Sequence, residues 1–542
     1  MAFYRKPRFW IVVGVVLVVL LFVIPPILGV AYRSRVEAEI QKAVNAPVKV
    51  GSLAINLLPP GATLSAVEIG SPDPATGDKP LVQVASLRAN VSLGTLLGGN
   101  TRVTRLSLNG LNLNVSVNDK NESSFTRFTR EMPPSDRKVE LPIDVVSISN
   151  FQLHTWRAGK KKLIGTTGAA SIYASGLVLP APDTLLGRET WIDVDLRGIV
   201  LSAPALDEKA AAAPEGSVAD GASVASLSLE LAQAPNTESP VQVRDLLISQ
   251  PELARVYTKP GEVPALNRAI EALELAMGEG EPAELRNSGR KGEAPTGTGI
   301  LIHDMKVSGG RIETRGPDAE GKPAYWRLED LSVNAKNLAF GPAIKTENGE
   351  LLVEAASTST SGPGKLKLAM TKISGGYPKW TCDSDYSIEG VAAPPFNVPA
   401  REGTKTQIQK GTVAVQLAGP VNRGKLKFEG SVTLSSDFDV SGPQDLAVKA
   451  VRGKPMRPLR VGGTLEKPVP DYPNAVARML GIVLEDVLVG NPLNVMDTFG
   501  GFMDSATGQS IRQARDVLKK VPGIDKVPVL DQIFKSGDDE EK

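Results

Sequence analysis

Val103-Thr-Arg-Leu106-Ser-Leu108-Asn109-Gly-Leu-Asn-Leu113-Asn-Val115-Ser-Val117 sets the pattern from which the fold is read. Apolar residues stand at i, i+3, i+5 and i+10, and Ser or Asn at i+6. The spacing returns at Ile143, Val146, Ile148 and Leu153 with Ser149; at Val243, Leu246, Ile248 and Leu253 with Ser249; and at Ile302, Met305, Val307 and Ile312 with Ser308. Leu64, Val67 and Ile69 begin a fifth copy that stops at Pro72. Steps of two keep side chains on one face of a strand, whereas odd steps change the face and call for a bulge or turn. Each copy is therefore expected to be a kinked β segment, repeated along the chain.

Around these copies the chain reads as mainly β. Alternating segments separated by Gly, Pro, Asn and Asp run over Val48 to Leu57, Thr63 to Ile69, Leu81 to Leu93 and Val103 to Val117. Of the later segments, Leu426-Lys-Phe428-Glu-Gly-Ser-Val432-Thr-Leu434 alternates most clearly. The 542 residues have room for several domains or for one elongated repeat structure. With 61 Lys and Arg against 60 Asp and Glu, bulk charge offers a polyanion nothing to recognise, so nucleic acid is not an expected partner. One cysteine, Cys382, precludes an internal disulfide framework and a cysteine-based zinc site, and two histidines leave little for metal chemistry. Aromatic content is 5%, so an apolar surface would be lined mostly by aliphatic side chains.

The uncharged run from Phe9 to Val30 has the length of a bilayer-spanning helix and exceeds the usual apolar region of a signal peptide. Arg5, Lys6 and Arg8 before it place the short tail in the cytoplasm and the rest of the chain across the membrane. Pro25-Pro26 should kink or end the regular helix. The expected organisation is a tail at 1–8, an anchor at 9–31 and an N-terminal β region at 33–130 that opens with a short helix carrying Val36, Ile40 and Val44. The β structure continues at 131–201, a linker follows at 202–223, and a β unit with a helix occupies 224–277. That helix has the stripe Leu266, Ile270, Leu273 and Met277. A loop at 278–299, further β structure at 300–465, C-terminal helices at 470–535 and an acidic tail at 536–542 complete the chain.

Lys49-Val50-Gly51-Ser52-Leu53-Ala54-Ile55-Asn56-Leu57-Leu58-Pro59, Leu64-Ser-Ala-Val67-Glu-Ile69-Gly-Ser-Pro72, Val91-Ser-Leu93-Gly-Thr-Leu96-Leu97-Gly98-Gly99 and the opening stretch together resemble the N-terminal region of the bacterial AsmA family. The match in order, from anchor through short helix to these segments, covers about the first 125 residues. Val461-Gly-Gly463-Thr464-Leu465-Glu-Lys-Pro468 is similar to a segment near the end of such proteins. The chain departs from the family at Asn118-Asp119-Lys120-Asn121, where Lys120 takes the place of a glycine.

No HExxH, GxSxG, GxxxxGK[ST] or strand-linked GxGxxG occurs. Asp193 and Asp195 alternate with Ile192, Val194 and Leu196 and read as a solvated strand face. His154 and His303 occupy different places in separate copies, and Cys382 reads as inert. No enzyme activity, metal or cofactor is expected. An amphipathic sheet covers its apolar face either against a second sheet or by curling into a trough. The resemblance implies the trough, an elongated curled sheet related to the TamB and chorein-type β-groove lipid-transfer proteins, with short flanking helices and a C-terminal helical cap. It implies an inner-membrane protein, mostly periplasmic, that shelters phospholipid or other lipid chains and supports lipid transport or outer-membrane biogenesis, with a possible outer-membrane or periplasmic partner at its C-terminal end. Groove candidates are Val103, Leu106, Leu108, Leu113, Val115, Val117, Val146, Ile148, Leu153, Ile248, Val307, Leu426, Phe428, Val432 and Leu434. The competing readings are a membrane-tethered scaffold for outer-membrane proteins and a β-solenoid carbohydrate-active enzyme.

Overall fold

The computed structural model describes residues 24–57, 59–92, 102–131, 141–179, 190–204, 220–233, 241–256, 265–277, 300–317, 323–341, 344, 346–359, 362–392, 407–441, 445–465 and 468–471. Helix α1 (Ile24–Val44) leads into β1 (Val48–Leu57), β2 (Pro60–Ile69), β3 (Val82–Val91) and β4 (Val103–Val117). Helix α2 (Ser124–Glu131) precedes β5 (Leu141–Arg157), β6 (Lys162–Leu179), β7 (Thr190–Ser202), β8 (Gly221–Gln233) and β9 (Val241–Val256). Helix α3 (Ala265–Met277) precedes β10 (Ile300–Pro317), β11 (Pro323–Phe340), β12 (Gly349–Ser359), β13 (Gly362–Ser374) and β14 (Thr381–Ala392). The final stretch holds β15 (Gln407–Lys410), β16 (Thr412–Asn422), β17 (Lys425–Leu426), β18 (Phe428–Leu434), β19 (Asp439–Ser441), α4 (Asp445–Val451), β20 (Pro455–Gly463) and β21 (Pro468–Asp471).

Nineteen of these strands form one large, curled, open sheet, and β15 pairs separately with β19. From β1 to β14 strands that follow one another pair antiparallel, except that β4 lies parallel to β5 and β9 parallel to β10; beyond them β14 pairs with β16, β16 with β18 and β18 with β20. A parallel pair needs a long return connection, and α2 and α3 lie in the two that are used. At both junctions the copies of the opening pattern are partners in register. Val103 faces Ile143, Leu106 faces Val146, Leu108 faces Ile148 and Leu113 faces Leu153. Val243 faces Ile302, Leu246 faces Met305, Ile248 faces Val307 and Leu253 faces Ile312. The repeated spacing is thus the match between strands that lie side by side.

Both odd steps in the pattern have a structural cause. Between i+5 and i+10, position i+7 takes a left-handed backbone in every full copy: Gly110 (φ 65°), Asn150 (φ 55°), Gln250 (φ 47°) and Gly309 (φ 63°). Ala66, Gly198 and Asp330 do the same on β2, β7 and β11. These residues form a seam of bulges across the sheet on its polar side, all exposed except the half-buried Gly110. Small residues on neighbouring strands fill the places between them, because a Cβ at Gly110 would stand 2.9 Å from that of Ala85, and one at Gly198 2.9 Å from that of Ala170. A second line of irregularity accounts for the step from i to i+3. It includes register shifts at Asn90/Val91 and Leu229/Leu231 and the left-handed Gly176 and Asn337. Bulges bend strands and restore the parity of side chains. All four apolar positions of a copy therefore reach one face.

Three helices lie against the long sheet. Val36, Ile40 and Val44 of α1 pack on Val48, Val50, Leu53, Leu64, Val67 and Val84, as their spacing predicts. Glu37 Oε1 accepts the Val50 amide at 2.8 Å, and Gly29 leaves no room for a side chain against the Leu53 carbonyl. Pro25 and Pro26 lie within α1. Leu273 and Ala276 of α3 join Leu81, Val115 and Leu153 in a cluster that also takes in Phe125 and Phe128 of α2. The predicted stripe on α3 needs correction. Leu266 is buried, but Ile270 is 38% exposed, and the buried face is Ala265, Leu266, Ala269, Ala272, Leu275 and Ala276. Gly165 on β6 lies directly beneath Ala272, so small side chains set the approach of this helix.

No helix among the described residues is long and apolar enough to cross a membrane. Residues 9–23 of the expected anchor lie outside the described residues, as do most of the expected linker at 202–223, the loop at 278–299, the C-terminal helices beyond residue 471 and the tail at 536–542. Ser202 ends β7, and Gly221 to Ser223 begin β8, so the described ends of that linker are strand.

Candidate functional site

Tracing strand to strand, residues that face one another form two apolar rows running perpendicular to the strands. The first passes through Leu53, Leu64, Leu87, Leu108, Ile148, Ile172, Leu196, Leu227, Ile248, Val307, Val333, Val353, Leu368, Tyr386 and Leu417. The second, two residues away on each strand, passes through Ile55, Ala62, Ala89, Leu106, Val146, Ala174, Val194, Leu229, Leu246, Met305, Ala335, Leu351 and Met370. The first row crosses fifteen consecutive partners without a charged side chain. Fourteen spacings of about 4.8 Å give it a length of about 67 Å.

The packing of this face changes along its length. At the β1 end α1 covers it. From β10 onward it is a filled core, with Met305, Val307, Val333, Leu368 and Met370 no more than 6% exposed. Bulky side chains fill that half: Trp326, Phe438 and Trp380 are 1%, 0% and 4% exposed, and Trp380 meets Phe340 and Tyr377 edge-on. Between these ends, Leu106, Val146, Ile148, Ile172, Val194, Leu196, Leu227 and Leu229 are half-buried. Among the described residues none of these eight belongs to a buried cluster.

The opposite face is polar. Ser147 Oγ donates to Ser107 Oγ at 2.9 Å, and Asn150 Nδ2 donates to Asn109 Oδ1 at 3.1 Å. Ser175 Oγ donates to Asp193 Oδ2 at 3.2 Å, and Arg244 meets Glu230 at 2.7 Å. Asp193 and Asp195 therefore lie on the solvated side, as their alternation predicts. A polar cleft of about 390 Å³ also lies along the seam, lined by Gln250, Glu252, Gly309, Gly310, Arg311, Glu329 and Asp330.

Among the described residues the two histidines and the cysteine lie apart. His154 lies within 3.3 Å of Thr166 Oγ1 and 3.2 Å of Gln152 Oε1; burial and then Lys79 lower its pKa. His303 is 3.3 Å from Gln242 Oε1, on another strand pair. Burial, with Asp383 beside it, pushes the Cys382 thiol up to about 11, which suppresses the reactive thiolate. Among the described residues no three His, Cys, Asp or Glu side chains gather as a metal site would require. The buried ionic group is structural in form: Glu313, 0% exposed, bridges Arg315 and Arg327 at 3.0 Å each, and Arg327 reaches Glu329 at 3.1 Å. The Thr358 hydroxyl and then Arg327 hold the Glu329 carboxyl below its usual pKa, although partial burial opposes them.

The groove candidates from the sequence fall into three places. Leu106, Leu108, Val146, Ile148 and Ile248 line the central rows, and Val103, at the start of β4, flanks them opposite Ile143. Leu113, Val115, Val117 and Leu153 lie beyond the seam, where α2 and α3 cover the sheet. Val307, Leu426, Val432 and Leu434 are buried in the filled half, with Phe428 packed at its margin. Ile172, Val194, Leu196, Leu227 and Leu229 were not among the candidates. Their signal was the alternation Ile192-Asp-Val194-Asp-Leu196 and Leu227-Ser-Leu229-Glu-Leu231, legible as strand but without a partner to place it.

Comparison of the chain with models of protein families and with curated proteins finds no match.

Proposed function

We propose that the apolar face shelters lipid acyl chains, and that the protein acts as a membrane-anchored lipid-handling factor of the AsmA-like kind. The two uninterrupted apolar rows carry this reading. A chain of roughly sixteen carbons costs on the order of 12 kcal/mol to expose to water, at about 0.8 kcal/mol per CH₂. A face of Val, Leu and Ile side chains removes much of that cost without directional bonds. The resemblance of the first 125 residues to the AsmA family points the same way. On this reading the segment 9–31 anchors the protein in a bacterial inner membrane, and the sheet lies in the periplasm, handing lipid towards the outer membrane.

The test is lipid content. Protein purified in mild detergent is expected to release phospholipid on extraction, measured by mass spectrometry. The double variant L196D/L227D should fold, because neither side chain belongs to a buried cluster among the described residues, and should lose most of that lipid. A wild-type protein that carries none, and takes none from vesicles, would overturn the proposal.

A further inference from the structure

The same face differs in its freedom to accept a ligand from one stretch to the next. Resting on the lipid-sheltering reading, we infer that lipid is held singly, in a lateral window over β5 to β8, and does not thread the sheet from end to end. At one side of the window, Leu108 on β4 already packs with the cluster that α1 covers. At the other side, Ile248 on β9 packs against the filled core. Between them Ile148, Ile172, Leu196 and Leu227 face one another in sequence and remain half-exposed.

Dimension and chemistry select the occupant. Five strand spacings of about 4.8 Å separate β4 from β9, giving an opening of about 24 Å. One leaflet's acyl chain spans about 15 Å, half of a hydrocarbon core of about 30 Å. One chain fits lengthwise and two in series do not. The central side chains are Val, Ile, Leu and Ala throughout, which suits a disordered hydrocarbon better than a peptide, whose backbone would bury unpaired amide groups. Helix α3 bounds the opening on one long side, since Ala272 sits over Gly165 and Leu273 packs towards Leu153. The other direction along the sheet is shut by side chains at most 6% exposed at Met305, Val307 and Val333.

The experiment uses the full wild-type chain and phosphatidylcholine vesicles doped with a phosphatidylcholine that carries a diazirine in one acyl chain. After illumination, adducts are mapped by peptide mass spectrometry, and the intact protein is weighed. Outside the anchor segment 9–31, which the bilayer itself labels, adducts confined to peptides of β5 to β8, at one lipid per chain, are the expected result. Adducts spread through β11 to β14, or several lipids per chain, would overturn the window while leaving lipid sheltering in place. No adduct on any strand would remove the sheltering reading and the window with it.

Discussion

Gly198 holds a φ of 59° on β7, with the Ala170 methyl 2.9 Å from where its own Cβ would stand. Gly198→Val should destabilise the sheet by about 1–3 kcal/mol through left-handed strain and crowding, measured by urea unfolding. Glu313 sets a different kind of constraint. Replacing it by Gln removes the carboxylate that faces Arg315 and one of the two that face Arg327, whose pair with Glu329 stays, and a loss of about 3 kcal/mol is expected. Cys382 should resist iodoacetamide at pH 8 in the folded protein and react readily in denaturant, because unfolding returns its pKa from about 11 to the ordinary thiol range. The sign at His154 follows from its lowered pKa. The unfolded chain binds the proton more tightly, so this contribution to stability is complete above the unfolded pKa of about 6.5 and is lost as pH falls through the folded value. His154→Gln should flatten the pH dependence of the melting temperature below pH 6.5.

At the scale of elements, α3 depends on the space above Gly165. Gly165→Leu should displace the helix from β6 without unfolding the sheet, seen as faster amide exchange in residues 265–277. The strands themselves were legible in the sequence because their apolar positions repeat, and the parity argument required a bulge where Gly110, Asn150, Gln250 and Gly309 supply one. Strand order was not legible. Parity says which residues share a face, but only long-range pairing shows that Leu108 neighbours Ile148, and Ile248 neighbours Val307. For the same reason the sequence could not tell open apolar face from filled core. Ile148 and Val307 hold the same place in their copies, yet one is half-exposed and the other 3% exposed. The difference comes from what packs in front of them: Val307 shares a buried cluster with Trp326, Trp380 and Phe438, and among the described residues Ile148 belongs to none. On α3, helical periodicity favoured the large side chains, whereas the close approach to Gly165 selected the alanines.

At the scale of the whole molecule, the parallel junctions divide the sheet into blocks. Strands β5 to β9 begin and end in the same direction, and β10 follows β9 in the register that β5 follows β4. Deleting 141–299 would present Ile302 to Val103 as Ile143 is presented now. The shortened chain is expected to fold, with a cooperative melt and β-type circular dichroism, and to carry no lipid, because the removed block contains the half-exposed rows. Removal of β8 alone should fail, since the strands after it would run the wrong way for their partners. A sheet built this way has a removable section, the five strands between its two parallel junctions. Its reach can be reset by whole modules without redesigning either terminus, much as a ladder is extended by sections and never by half a rung.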